Sequence, residues 1–178
     1  MTLLDALLAL QPLHDLPRTG WILRGIAEPE SVGDHTLSTA FVVLALGPRV
    51  EPAIDVERAL TLAVLHDVPE ALTGDWPRTV SELLPSGAKR GVEERAGRRL
   101  LEPLSGHALE RWQEYRDQAT REARFARLCD RLQLGLRAVA YQRGGRTGLG
   151  EFRATVAELD CSEFQVAARF QAEILAAL

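Results

Sequence analysis

The chain has 178 residues, a formal net charge of −4, 46% hydrophobic residues and 26% charged residues. That length suggests a single domain over residues 1–178 with ample core, and the mild acidity excludes a surface built to coat a nucleic-acid polymer. Two cysteines, Cys129 and Cys161, are too few and too irregular for a disulfide framework or a CxxC zinc site, which points to a reduced, cytoplasmic protein.

The first ten residues are apolar, but no basic segment precedes them and Asp5 interrupts the run, so they read as a short helix capped by Thr2. Residues 11–29 hold Pro12, Pro17, Gly20, Gly25 and Pro29 and are expected to be an irregular, ordered loop. From Ser31 to Leu46 the pattern is helical, stopped by Gly47-Pro48, and Phe41 to Leu46 read as a buried segment. Asp55 caps the next helix, with Val56, Ala59, Leu60, Ala63 and Val64 on its apolar face. That helix runs into His66-Asp67-Val68-Pro69, where Pro69 removes a backbone donor and disfavours helical geometry at Val68, so the helix kinks or ends there.

A turn at 74–77 and a short helix at 79–84 follow. A charged helix at 86–104 comes next, with i,i+4 pairs on a solvated face, and then another at 107–117. The longest helix spans 119–142, a glycine-rich loop follows, and helices near 149–159 and 162–178 close the chain. No uncharged stretch is long enough to cross a membrane, no strand-like alternation persists, and the fold class is all-α.

Of the four histidines, His35 and His66 sit in acidic, helical contexts, Gly33-Asp34-His35 and Leu65-His66-Asp67. A hydrolytic metal takes imidazole and carboxylate donors and needs open positions for water and substrate. His35, His66 and Asp67 supply three donors. Asp130, an acid between Leu128 and Leu132, is the best fourth. A mixed nitrogen and oxygen set suits one divalent ion such as manganese, cobalt, magnesium, iron or nickel. The competing reading is a set of satisfied histidines and a surface ion pair at Asp130 beside Arg127 and Arg131. His14 and His107 lack such surroundings and read as non-catalytic.

Several segments together narrow these alternatives. Pro17-Arg18-Thr19-Gly20-Trp21, Glu30-Ser31-Val32-Gly33-Asp34-His35, His66-Asp67-Val68-Pro69-Glu70, Thr73-Gly74-Asp75 and the helix from Phe125 to Gln133 resemble the HD-domain 5′-deoxynucleotidases. The resemblance runs from about residue 13 to residue 141. The helices at 149–178 match poorly and are expected to complete the bundle or form an oligomer face. The likeness implies an HD-domain helical bundle, often dimeric, with one divalent metal on His35, His66, Asp67 and Asp130. It also implies hydrolysis of a deoxyribonucleoside 5′-monophosphate to a deoxynucleoside and phosphate. Two positions depart from the family pattern: Pro69 stands where a small residue is usual, just before Glu70, and Gly33 replaces Ala or Ser.

Glu70 follows His66 by four positions and Asp67 by three, so one helical turn would bring it to the metal face as a general acid or base. Asp75, after Gly74, reads as a second carboxylate that orients water or nucleotide, against the alternative of a turn cap. Arg18 offers a guanidinium fork for a phosphate dianion; Arg24, Arg78 and Thr79 are weaker candidates. Trp21 is either a core anchor or, as the resemblance implies, a wall beside the sugar that crowds a 2′-hydroxyl. The expected partner is a small nucleotide, with no nucleic-acid polymer, no membrane, and a homodimer as the assembly. Two alternatives remain at this stage: an HD-type hydrolase of another substrate (a phosphodiester, a nucleoside di- or triphosphate, or (p)ppGpp), and a weakly catalytic nucleotide-binding protein.

Overall fold

The computed structural model describes residues 2–178, and among them the regular structure is helical, with one isolated antiparallel bridge between Pro17 and Ser31. The helices are α1 (Leu3–Leu8), α2 (Pro12–Asp15), α3 (Thr19–Ile22), α4 (Val32–Leu46), α5 (Val56–Leu65) and α6 (Glu70–Thr73). They continue with α7 (Arg78–Leu83), α8 (Ala88–Leu101), α9 (Gly106–Asp117), α10 (Arg121–Arg143), α11 (Gly150–Ala157) and α12 (Gln165–Ala177). The all-α expectation holds. None of these helices is long and apolar enough to cross a membrane.

The local signals act where the sequence puts them. Thr2 caps α1 through a reciprocal box with Asp5, and the backbone N–H of Arg58 donates to Asp55 Oδ1 at 2.9 Å to start α5. Thr120 caps α10 by accepting from the backbone N–H of Ala123. Gly47-Pro48-Arg49 forms a 3-10 turn that ends α4.

Three expectations need correction. Residues 11–29 are not loop throughout: Pro12 opens the single turn α2, since proline costs nothing at the first helical position, and Thr19 opens the single turn α3. In α4, Phe41 and Leu44 are exposed while Val42, Val43 and Leu46 are buried. The all-apolar run hid a two-sided helix. In α5, Leu62 is buried and Val64 is 49% exposed, because the core face follows Ala59, Leu62 and Ala63.

The fold divides into two compact units. The first comprises Met1–Thr36 and Leu65–Gln113. Its core joins Val68, Leu100, Leu101, Leu109 and Trp112, with α6 packed on α8 and on α2. Gly97 matters here, because a Cβ at that position would lie 2.8 Å from the Trp112 ring. The second unit comprises Leu37–Val64 and Glu114–Leu178. Its core gathers Val43, Leu62, Phe125, Leu132, Val156 and Ile174, with α10, α11 and α12 packed on one another. Gly135 permits that packing, since a Cβ there would meet Val156 Cγ2 at 2.6 Å and Ile174 Cγ2 at 2.8 Å.

Candidate metal centre and active site

The first unit builds its polar centre from helix ends. Residues 16–18 run antiparallel to residues 30–32: Arg18 N–H donates to the Glu30 carbonyl at 3.0 Å, and Val32 N–H to the Leu16 carbonyl at 2.8 Å. Pro17, which has no N–H, occupies the bridge position where no donor is spent. Just beyond, Ser31 and Asp34 form a capping box, each backbone N–H donating to the other's side chain at 3.0 Å. Asp34 therefore serves the start of α4, and His35, the next residue, turns inward at 1% exposure.

The second histidine comes from the break that Pro69 imposes. Helix α5 ends at Leu65, and residues 66–69 continue as tight turns, with Val68 N–H on the Leu65 carbonyl and Glu70 N–H on the Asp67 carbonyl. His66 and Asp67 lie in this break rather than in a continuous helix. His35 Nε2 and His66 Nε2 are 3.2 Å apart, their rings nearly edge to face. Asp67 Oδ2 lies 3.0 Å from His66 Nε2 and 3.6 Å from His35 Nε2. Burial pushes the Asp67 carboxyl up, but His66, Arg18 and His35 together outweigh it and hold the group well below the usual carboxylate range.

Arg18 lies among three acids. Its Nη1 is 3.2 Å from Asp67 Oδ2, 3.1 Å from Asp75 Oδ1 and 3.8 Å from Glu70 Oε2. Asp75 reaches this point because Gly74 takes a φ of +76°, which only glycine adopts without strain, and turns the chain after α6. Asp75 also accepts from the backbone N–H of Thr19 at 2.5 Å, and its carbonyl accepts from Thr19 Oγ1. It thereby supplies the first turn of α3 with an acceptor that Arg18, at the cap position, does not provide. Glu70 Oε2 is buried and accepts no hydrogen bond. Burial, then Asp67 and Asp75, push its carboxyl up to about 10 against the opposing pull of Arg18 and Lys89.

The donor set fits a divalent cation. Two imidazole nitrogens face each other with a carboxylate oxygen against both, an arrangement that hydrogen bonding alone satisfies poorly. Three carboxylates crowd one guanidinium, and burial together with the neighbouring acids favours the protonated form of Glu70. A cation among these groups would lower that pKa again.

Of the sequence candidates, this unit brings together His35, His66, Asp67, Arg18, Glu70 and Asp75. Asp130 lies in the second unit on α10, half-buried, where the Tyr115 hydroxyl donates to Oδ2 at 3.3 Å. Trp21 is 1% exposed and its indole N–H donates to the buried Glu30 carboxylate at 2.9 Å, which favours the core-anchor reading. Arg78 is exposed and pairs with Glu82, Thr79 and Arg24 are exposed, and His14 and His107 lie at the surface. Sequence reasoning missed Glu30, whose burial had no local signal. It also missed the Ser31-Asp34 box, which the S-x-x-D spacing carries. Lys89 was read only as part of a solvated face, yet it lines a small cleft with Glu70 and Trp76 while keeping an i,i+4 contact to Glu93.

Residues 10–166 match the family described as HD domain. The chain belongs to the HD domain family. Among curated proteins it is similar to the mouse 5′-deoxynucleotidase HDDC2, at 33% identity over 73% of this chain and 65% of the relative. The bovine HDDC2 is 34% identical over 79% of this chain and 68% of its own length. The chain thus spans about two thirds of the length of these relatives. Among solved structures, a Pyrococcus horikoshii protein is 29% identical with a TM-score of 0.84, covering 98% of this chain and 99% of its own. A conserved hypothetical protein from Pyrococcus furiosus is also 29% identical, with a TM-score of 0.82 over 96% of this chain and 98% of its own.

Proposed function

We propose that this HD-family chain is a metal-dependent 5′-deoxynucleotidase, hydrolysing deoxyribonucleoside 5′-monophosphates to deoxynucleosides and phosphate. The observation that carries the reading is the convergence of His35 Nε2, His66 Nε2 and Asp67 Oδ2 beside Arg18 and the buried Glu70. Relatives named 5′-deoxynucleotidase support the substrate class.

His35, His66 and Asp67 hold one divalent ion, and Asp130 completes the ligand set, as the family order of H, HD and D implies. Manganese, cobalt, magnesium, iron and nickel all suit these donors. When bound, the ion supplies Lewis-acid stabilisation of the phosphoryl group and acidifies water. Arg18 leaves part of its carboxylate contacts to meet the incoming phosphate, whose charge replaces theirs. Glu70 acts as a general acid or base on the departing 5′-oxygen or the attacking water. Asp75 aims Arg18 and anchors α3, and Trp21 holds the same loop from inside through Glu30. The family match runs across both units, which supports one HD domain over residues 1–178. The reading includes a cytoplasmic homodimer, and the two free, buried cysteines fit a reducing compartment.

The test is phosphate release by metal-stripped protein reloaded with Mn²⁺, Co²⁺, Mg²⁺ or Zn²⁺, on paired deoxy- and ribonucleoside monophosphates. Release from the deoxy series alone supports the reading. Release from neither series under any metal refutes it.

A further inference from the structure

The loop between α10 and α11 reads Gly144-Gly145-Arg146-Thr147-Gly148-Leu149, with Gly150 opening α11, so few side chains cover its backbone. It borders a cleft of about 250 Å³ that lies wholly within the second unit and shares no residue with the polar centre of the first. That volume is far more than one water needs and falls just below the usual range of small-ligand pockets. Leu149 and Leu178 give the cleft an apolar wall. Its charged lining is Arg146 and Arg153, and no aspartate or glutamate lines it.

The donors around this cleft are unspent. The chain holds more acids than bases, and Arg78, Arg98, Arg116 and Arg124 each pair with a carboxylate. Among the described residues, the Arg146 guanidinium has no hydrogen-bond or ion-pair partner. Arg153 donates from Nη1 to the Leu175 carbonyl, which steadies its side chain and leaves the rest of its fork unbonded. The backbone N–H groups of Thr147, Gly148 and Gly150, all lining residues, also meet no acceptor among the described residues. Helix α11 starts here with Leu149 at its cap position and no side-chain cap, so its first turn adds to the positive field that the two arginines set up.

We propose that this cleft is a second ligand site, which binds a phosphate dianion, free or as the head of a small phosphate ester. The two guanidinium forks match its charge and share its terminal oxygens, and the loop N–H groups take the remainder. A carboxylate brings one charge and two oxygens, too few for this donor set. The Leu149 and Leu178 wall leaves room for a sugar-sized group behind the phosphate. Arg146 and Arg153 are binding residues for this ligand and take no part in the hydrolysis proposed above.

The test reads local amides rather than turnover, so it stands or falls apart from the nucleotidase reading. In nuclear magnetic resonance spectra of the Mg²⁺-loaded full chain, inorganic phosphate should shift the amides of Thr147, Gly148 and Gly150 in a saturable way. Acetate at matched ionic strength should leave them in place. Arg146→Gln should weaken the phosphate binding about 10- to 100-fold, the loss of one charged hydrogen-bonding partner. Arg146 is exposed and unpaired, so this variant should fold as the wild type does. Arg153→Gln should act in the same direction. Arg18→Gln, which removes the phosphate contact of the first unit, should leave these shifts unchanged. Ribose 5-phosphate binding more tightly than inorganic phosphate identifies an ester as the ligand, and equal affinities identify free phosphate; both uphold the site. Shifts that are absent, that acetate reproduces, that persist at full strength in both arginine variants, or that vanish with Arg18→Gln overturn it.

Discussion

Glu70 gives the sharpest physical prediction, because its burial should appear in the pH dependence of folding. Its carboxyl rises from an ordinary 4.5 to about 10 in the metal-free fold, first through burial and then through the charges of Asp67 and Asp75. A group whose folded pKa is raised contributes stability in full below its unfolded value and loses it as pH climbs toward the folded value. Through neutrality the folded chain therefore holds one proton that the unfolded chain has lost. The cost is about 1.4 kcal/mol per pH unit, or about 3 kcal/mol between pH 6 and pH 8. That slope does not depend on the folded value, provided it lies above 8. Glu70→Gln removes the titrating group and keeps the shape. Urea unfolding of chelator-treated protein at several pH values should show the wild type losing stability relative to Glu70→Gln, the gap closing as divalent metal is added. Parallel curves for the two proteins in chelator would refute the buried, protonated carboxyl. The same variant should lose about 100- to 10,000-fold in turnover.

The remaining predictions concern the other partners. Asp67→Ala should lose bound metal, measured by elemental analysis, and with it phosphate release, while helical content stays; unchanged turnover would sink the ligand assignment. In chelator the depressed Asp67 should add acid sensitivity: its stabilisation is present above the ordinary carboxyl value and is lost as pH falls below it, a dependence that Asp67→Asn would remove. Arg18→Lys keeps the charge but loses the fork, so KM for the nucleotide should rise about 10- to 100-fold in steady-state assays. Gly135→Ala places a methyl within 2.8 Å of Val156 and Ile174 and should cost about 1–3 kcal/mol in urea unfolding; a neutral result would mean that α11 and α12 yield freely.

The readable part of this fold was its punctuation. Thr2 and Asp55 announce helix starts through their side-chain acceptors, and Pro69 announces the break, because each acts within a few residues of itself. The donor residues His35, His66 and Asp67 were legible for the same reason, and the family likeness supplied their grouping. What resisted reading depends on which way a face turns. In α4 the run from Phe41 to Leu46 is uniformly apolar, so periodicity could not tell the buried Val42 from the exposed Phe41. The reach of Glu70 was anticipated from one helical turn. The structure brings it near Arg18 across a broken one, in which α5 stops before His66 and α6 starts at Glu70. Glu30 is buried by tertiary packing around Trp21, which leaves no trace in local pattern.

Pro69 precedes Glu70 and departs from the family pattern. Its position explains why it fits. It sits at the cap of α6 with a φ of −55°, close to the value its ring enforces, and its carbonyl accepts from the backbone N–H of Thr73 to start the new turn. At a helix start the missing N–H forfeits no helical bond. The proline therefore separates two helices that would otherwise fuse, and the separation is useful. In a continuous helix, His66 and Asp67 would point about 100° apart. The tight turns instead let Asp67 Oδ2 come within 3.0 Å of His66 Nε2. Arg18 before α3, His35 in the first turn of α4, and Asp75 after Gly74 follow the same logic. Each functional group of the first unit stands at or next to a helix end, where the backbone can aim a side chain that the helix interior would have fixed elsewhere.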